Sequence, residues 1–249
     1  MPALALIVVI FLGWFFVVRQ AGGVDGAMAG TMGMSLWPFL LMWLPMVVAM
    51  MFPTVVPSAV VAVRGGENGA ASGSLTVRTA VFLTVYLLVW MVFGLAVFLV
   101  LEGAARVISI PPEGAKWLAA GIYAVGGLYQ FTPVKDRCRS RCQSTRCAYA
   151  DGGSTFLQTA RAASHHGLVC IGCCAAFMVV LIAVGMANLA AMAILTAVIF
   201  VERHTFARAV LASRIAGALL LLAAVLTPFV SWLHPGLPGP DAGDMSTPM

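Results

Sequence analysis

Seven apolar stretches dominate the chain: Leu4 to Val18, Leu36 to Val63, Ala80 to Leu101, Trp117 to Phe131, Leu168 to Met186, Leu189 to Val201 and Val210 to Trp232. A hydrocarbon core of about 30 Å takes about 20 helical residues, fewer where tilt or local thinning allows. Charge is scarce between them: 9% of the 249 residues are charged and 61% are hydrophobic, where soluble domains carry about a quarter charged. The expected fold is all-α, a polytopic integral membrane bundle of about seven transmembrane helices. Residues 1–235 would form its single domain, with a Cys/Arg-rich loop at 133–166, and 236–249 a short extracytoplasmic tail.

Basic residues set the expected orientation. Arg64, Arg78, Lys135, Arg137, Arg139, Arg141, Arg146, Arg161, Arg203, Arg208 and Arg214 fall on one side of a seven-span layout, eleven of fourteen, against Arg19, Arg106 and Lys116 on the other. The positive-inside rule then puts the N-terminus in and the C-terminus out. Ala27-Met28-Ala29 has the small residues of a signal-peptide cleavage site, but no lysine or arginine precedes Leu4, so the first helix reads as retained.

Sulfur is the chemistry this chain carries. Cys170, Cys173 and Cys174 lie at i, i+3 and i+4 and share one side of a helix, with His165 and His166 just before them. Thiolates suit Cu(I), zinc or iron–sulfur centres; the bland alternative is three small hydrophobes filling helix contacts. Cys138, Cys142 and Cys147 sit among arginines at 135–147. Neighbouring cations favour thiolate over thiol, and the Cys138-x3-Cys142 spacing occurs at zinc sites. Equally, the run of arginines serves as a topology determinant against anionic headgroups. A short turn at Met186-Ala-Asn188 makes the fifth and sixth spans antiparallel, bringing Glu202 and His204 toward the cysteine-bearing end. Glu202 is there a candidate ligand, or a partner for Arg203 or Arg208.

Methionine is placed differently. Met28, Met32 and Met34 fall in a glycine-rich loop, and Met42, Met46 and Met50 follow at four-residue intervals with Met51 adjoining. Thioethers bind Cu(I) without deprotonation, yet an i, i+4 methionine stripe is also an ordinary buried face. Pro45, Pro53 and Pro57 interrupt the same apolar run, which predicts a bent or broken helix, either a packing kink or a hinge.

Taken together, Trp43-Leu-Pro-Met-Val-Val-Ala-Met-Met-Phe-Pro53, Tyr129-Gln-Phe-Thr-Pro-Val-Lys-Asp-Arg-Cys138 with Cys142, Gly172-Cys-Cys174, Gly185-Met-Ala-Asn188 and Glu202 resemble an uncharacterised bacterial family of predicted metal-binding integral membrane proteins. The resemblance spans Trp37 to Glu202 and implies metal handling. The family pattern has a tryptophan soon after the paired cysteines, where this chain has Ala175-Ala176-Phe177.

The expected function is therefore metal binding in the bacterial inner membrane, with Cu(I) bound, transported or delivered across it. Candidate ligands are Cys173, Cys174, Cys170, Cys138, Cys142, Glu202, His166, Met46, Met50 and Met51. Zinc, or a structural metal in an accessory subunit, is the alternative within the class; a thiol oxidoreductase is the alternative outside it, and would want cysteines on the outer side. The expected partners are the bilayer and a metallochaperone or membrane complex. With no Walker loop and no CxxCH haem motif, nothing points to ATP, haem or nucleic acid, and an enzyme is the less favoured reading.

Overall fold

The computed structural model describes residues 2–23, 35–64, 75–107, 112–143, 155–186 and 188–230. Among them the chain forms α1 (Pro2–Gly23), α2 (Leu36–Arg64), α3 (Leu75–Val107), α4 (Pro112–Tyr129), α5 (Pro133–Gln143), α6 (Phe156–Val184), α7 (Leu189–His204) and α8 (Phe206–Leu226), closed by a 3₁₀ turn at Thr227–Phe229. The described residues hold no strand, as an all-α protein requires. Met28, Met32, Met34 and Cys147 lie outside them.

The expected count of seven spans is corrected to four. Among the described residues, the segments long and apolar enough to cross a membrane are Leu36–Val56, Thr76–Gly103, Phe156–Val184 and Arg208–Phe229. Helix α7 has 16 residues and reaches about 24 Å at 1.5 Å per residue, short of a hydrocarbon core of about 30 Å. Its ends are set locally: the Asn188 side chain accepts from the Ala191 N–H at 3.0 Å, and the helix stops at Thr205. In α4 much of the apolar count is alanine and glycine, with Glu113 and Lys116 in its first turns. In α1 the apolar stretch found among the described residues is Ile7–Ala21. The N-in, C-out arrangement rested on an odd number of crossings. The four found among the described residues do not supply one, so the basic asymmetry no longer assigns the termini.

Burial separates the four. Of the most apolar windows, 61% in Leu36–Val56 and 56% in Phe156–Val184 is inside the protein, against 22% and 33% in the other two. Helices α2 and α6 are thus the core, and α3 and α8 present most of their surface outward through residues such as Val92, Val100, Leu219 and Val225. Outward apolar side chains need no partner where lipid is the solvent.

Contrary to a break, α2 runs unbroken past Pro45, Pro53 and Pro57. It meets α3 where Gly94 leaves room for the Trp43 indole: a Cβ on Gly94 would lie 2.4 Å from Trp43 Nε1. That indole donates to the Trp90 carbonyl at 3.1 Å and stacks on Phe39 with ring centres 5.6 Å apart. Helices α4 and α8 meet through Gly127 and Gly217, where a Cβ on either would fall 3.0 to 3.1 Å from the other's carbonyl oxygen. Small residues let membrane helices approach this closely.

The segment expected as a loop at 133–166 is largely helical. Helix α5 is short and polar, and α6 begins at Phe156, twelve residues before the apolar stretch itself. Thr155 and Gln158 form a reciprocal capping box there, which satisfies the first amide donors and fixes the start.

Candidate metal centre

Three elements converge on the cysteines. Helix α6 supplies Cys170, Cys173 and Cys174, α5 supplies Cys142 and Cys138, and the C-terminal end of α7 supplies Glu202 and Arg203. The reason α5 packs here is a pair of bonds onto the α6 backbone. Tyr129, just ahead of α5, donates its hydroxyl to the Gly172 carbonyl, and Lys135 Nζ donates to the Cys173 carbonyl at 2.5 Å. Gly172 also admits Cys138, whose Sγ would lie 2.8 Å from a Cβ at that position.

The Sγ atoms of Cys142, Cys170 and Cys173 all lie within 4.8 Å of one another, and all three residues are buried. A metal bonded to three sulfurs at about 2.3 Å needs them about 4 Å apart, so small side-chain adjustments suffice. Cys174 adjoins the cluster, its Sγ 3.5 Å from that of Cys173. Cys138 is half-buried against the same core without joining the three.

Polar groups surround the sulfurs. Tyr86 of α3 donates to Cys170 Sγ at 3.1 Å. Arg203 donates from Nη1 to Cys142 Sγ at 2.5 Å and from Nη2 to His166 Nε2 at 2.7 Å. Because arginine can only donate, His166 is an acceptor at Nε2, with its proton on Nδ1. Buried Lys135 pairs with Glu202 Oε2 at 2.9 Å and lies 4.7 Å from the Phe177 ring centre.

Hydrogen bonding to Cys170 and Cys173, reinforced by burial, holds the Cys142 thiol well above the usual range. Burial, then Cys173, raises that of Cys138. Burial works against charge on Arg203, but the facing Cys142, Cys170 and Cys173 outweigh it, and the guanidinium is more firmly protonated than usual. A thiol cluster lined by a fixed cation is one prepared to become anionic when a metal displaces its protons.

Of the ten residues expected as ligands, Cys142, Cys170 and Cys173 are brought together, Cys174 and Cys138 adjoin, and Glu202 reaches the pocket beside the cluster. Glu202 pairs with Lys135. His166 is turned to Arg203, while His165 and His204 are exposed. Met46, Met50 and Met51 are buried in α2 within the same continuous core as the cysteines, not among the three clustered thiols. Sequence reasoning missed Tyr86 as a neighbour of the thiols, counted Lys135 only among the basic residues around Cys138 and Cys142, and took Arg203 as an orienting basic residue and a partner for Glu202. Lys135 carried a usable signal, a lysine flanked by Tyr129 and Cys138 within the motif; Tyr86, on a different helix, carried none.

No curated protein and no solved structure matches this chain. Residues 40–227 do match the profile of a family, PpoB2, described as copper chaperone. That stretch contains α3 to α8, all but the first turn of α2, and every residue of the thiol cluster. With about three quarters of its length so covered, this integral membrane protein belongs to the PpoB2 copper-chaperone family.

Proposed function

We propose that the protein binds Cu(I) as cargo at Cys142, Cys170 and Cys173 and passes it to or from a partner at the bacterial inner membrane. The observation that carries this reading is the convergence of three buried thiols from two helices within 4.8 Å. Three thiolates match the low coordination number and soft character of Cu(I), and Arg203 offsets the negative charge such a complex accumulates. The family description supports copper over other soft metals. Cys174 is a reserve ligand, placed for exchange of the ion within the cluster. The protein is a carrier and no catalytic step is assigned to it; its partners are the lipid around it and a copper-carrying protein or membrane complex.

Zinc is the second reading, favoured by one feature: Cys174 and Glu202 border the adjoining pocket, and either would bring the three thiols to a four-ligand set. Metal analysis of anaerobically purified protein separates the two. About one copper per chain, removed by a Cu(I) chelator, is the expected result. Zinc at that stoichiometry, or no soft metal at all after copper exposure, would defeat the proposal.

A further inference from the structure

Helix α5 has two faces, and the metal centre uses one of them. Inward, Lys135 is held by the Cys173 carbonyl and Glu202, Arg139 is paired with Asp136, and Cys142 enters the thiol cluster. Outward stand Val134, Arg137, Ser140 and Arg141, all exposed. Val134, Arg137 and Arg141 follow at i, i+3 and i+7 and so share one side of the helix. Among the described residues neither outward guanidinium is in an ion pair. Like charges at i, i+4 destabilise a helix, and one of 11 residues has little stability of its own to spare.

Depth decides what meets this face. Lys135 reaches the Cys173 carbonyl, Cys138 lies against Gly172, and the Cys142 sulfur neighbours that of Cys170, so α5 runs back toward the start of the apolar stretch of α6 at Leu168. By helical rise Gly172 and Cys173 are about 6 to 8 Å inside that start. The outward face is therefore apolar at its deeper end, where Phe131 is 40% and Val134 51% exposed, and cationic at its shallower end. A lipid monolayer has the same order, acyl chain beneath phosphate, and amphipathic helices at the interface follow it. An acidic protein surface would answer the arginines alone.

We propose that the outward face of α5 binds an anionic phospholipid whose phosphate bridges Arg137 and Arg141, and that this lipid keeps Cys142 seated among the thiols. This rests on the Cu(I) reading above and adds a regulator of that site. Cys170 and Cys173 stand on a long spanning helix, whereas the third ligand is carried by a short polar one. Neutralising Arg137 and Arg141 removes the repulsion that works against that short helix. Without an anionic headgroup α5 is less firmly held, and Cu(I) is left with two thiols in place of three.

The full chain in nanodiscs tests this, with phosphatidylcholine alone or mixed with an equal amount of phosphatidylglycerol, and with Cu(I) affinity read anaerobically by competition against a chromophoric chelator. Wild type should bind Cu(I) about tenfold more tightly when phosphatidylglycerol is present. Arg137→Gln with Arg141→Gln should abolish that gain and leave affinity in phosphatidylcholine unchanged; both side chains are exposed, so the fold is not at stake. Cys142→Ser should bind more weakly in both lipids and show no gain, because the lipid acts through the ligand that is gone. Equal wild-type affinity in the two lipids would overturn the inference and leave the two arginines to a protein partner. A gain that survives in the double arginine variant would overturn it too, since the membrane's surface potential would then be drawing in the cation by itself. A gain that survives in Cys142→Ser would overturn the coupling of lipid to the third thiol. Wild type that binds no Cu(I) in either nanodisc would instead remove the copper reading beneath it.

Discussion

Two groups of sulfur share one continuous core and have opposite surroundings. Met46, Met50 and Met51 on α2 are 0 to 1% exposed in the apolar cluster that includes Phe39, Trp43, Phe82 and Trp90. Cys142, Cys170 and Cys173 are as well buried, but Arg203 and Tyr86 donate to them and the Lys135–Glu202 pair adjoins. The difference follows from protonation chemistry. A thioether is neutral with or without metal and can sit in a wholly apolar setting, whereas a thiol that must ionise needs compensating charge nearby. Buried sulfur alone therefore says little about metal; buried sulfur beside a buried cation says much more.

The sharpest way to break that contrast is to remove the thiols. A Cys170→Ser, Cys173→Ser variant should fold and lose its copper entirely, since two of three ligands are gone while side-chain volume is nearly kept. Metal content of the folded, monodisperse fraction is the readout, and full retention would end the assignment. In Met50→Ala the pattern should reverse: stability falls by about 2 to 5 kcal/mol from the cavity left in the core, with copper stoichiometry kept. Loss of copper from a folded Met50→Ala protein would make α2 part of the site.

These two outcomes also mark what the sequence could show. The i, i+3, i+4 spacing of Cys170, Cys173 and Cys174 is a local property of one helix and was legible. That Cys142 and not Cys138 completes the trio was not, because it depends on how Tyr129 and Lys135 seat α5 on the α6 backbone. The span count failed for a different reason: reading apolar stretches by eye gives alanine and glycine the same weight as leucine, so α4 and α7 looked like crossings although one is small-residue-rich and the other about one turn too short. Glu202 near the cysteines was legible from the short α6 to α7 turn; its partner Lys135, 67 positions away in sequence, was not.

The ion pair offers a subtler test. Lys135→Met leaves Glu202 buried without its cation and should cost about 3 to 5 kcal/mol, while Lys135→Met with Glu202→Leu should recover much of it. Equal losses in single and double variants would show that the pair's role is not electrostatic. Glu202 and the nearby Cys173 and Cys174 raise the Lys135 pKa against the opposing effect of burial. A raised lysine pKa gives stability that is fully present below the ordinary lysine value of about 10.4 and is lost only as pH climbs through the raised one. The stability gap between wild type and Glu202→Gln should therefore stay flat from about pH 7 to 9, as denaturation midpoints would report; a gap closing in that range would contradict it.

The smallest expected effect is from Met46→Leu, Met50→Leu and Met51→Leu together. Each swap conserves volume and should cost less than about 1.5 kcal/mol. The equilibrium copper content in detergent is the measurement, and an unchanged value would confine these thioethers to packing.

Helix α6 has 29 residues and is about 44 Å long at 1.5 Å per residue, well beyond a hydrocarbon thickness of about 30 Å. Its first turns, with Gln158, Arg161 and His165, overhang the apolar part that begins at Leu168. By helical rise Cys170 and Cys173 stand about 3 to 8 Å inside that boundary and about 17 to 21 Å from Val184 at the far end. Along α6 the thiols thus stand nearer the start of the apolar stretch than its far end. On the proposed function, a partner reaching the thiols from the α5 side would need access at only one end of α6, a berth rather than a passage.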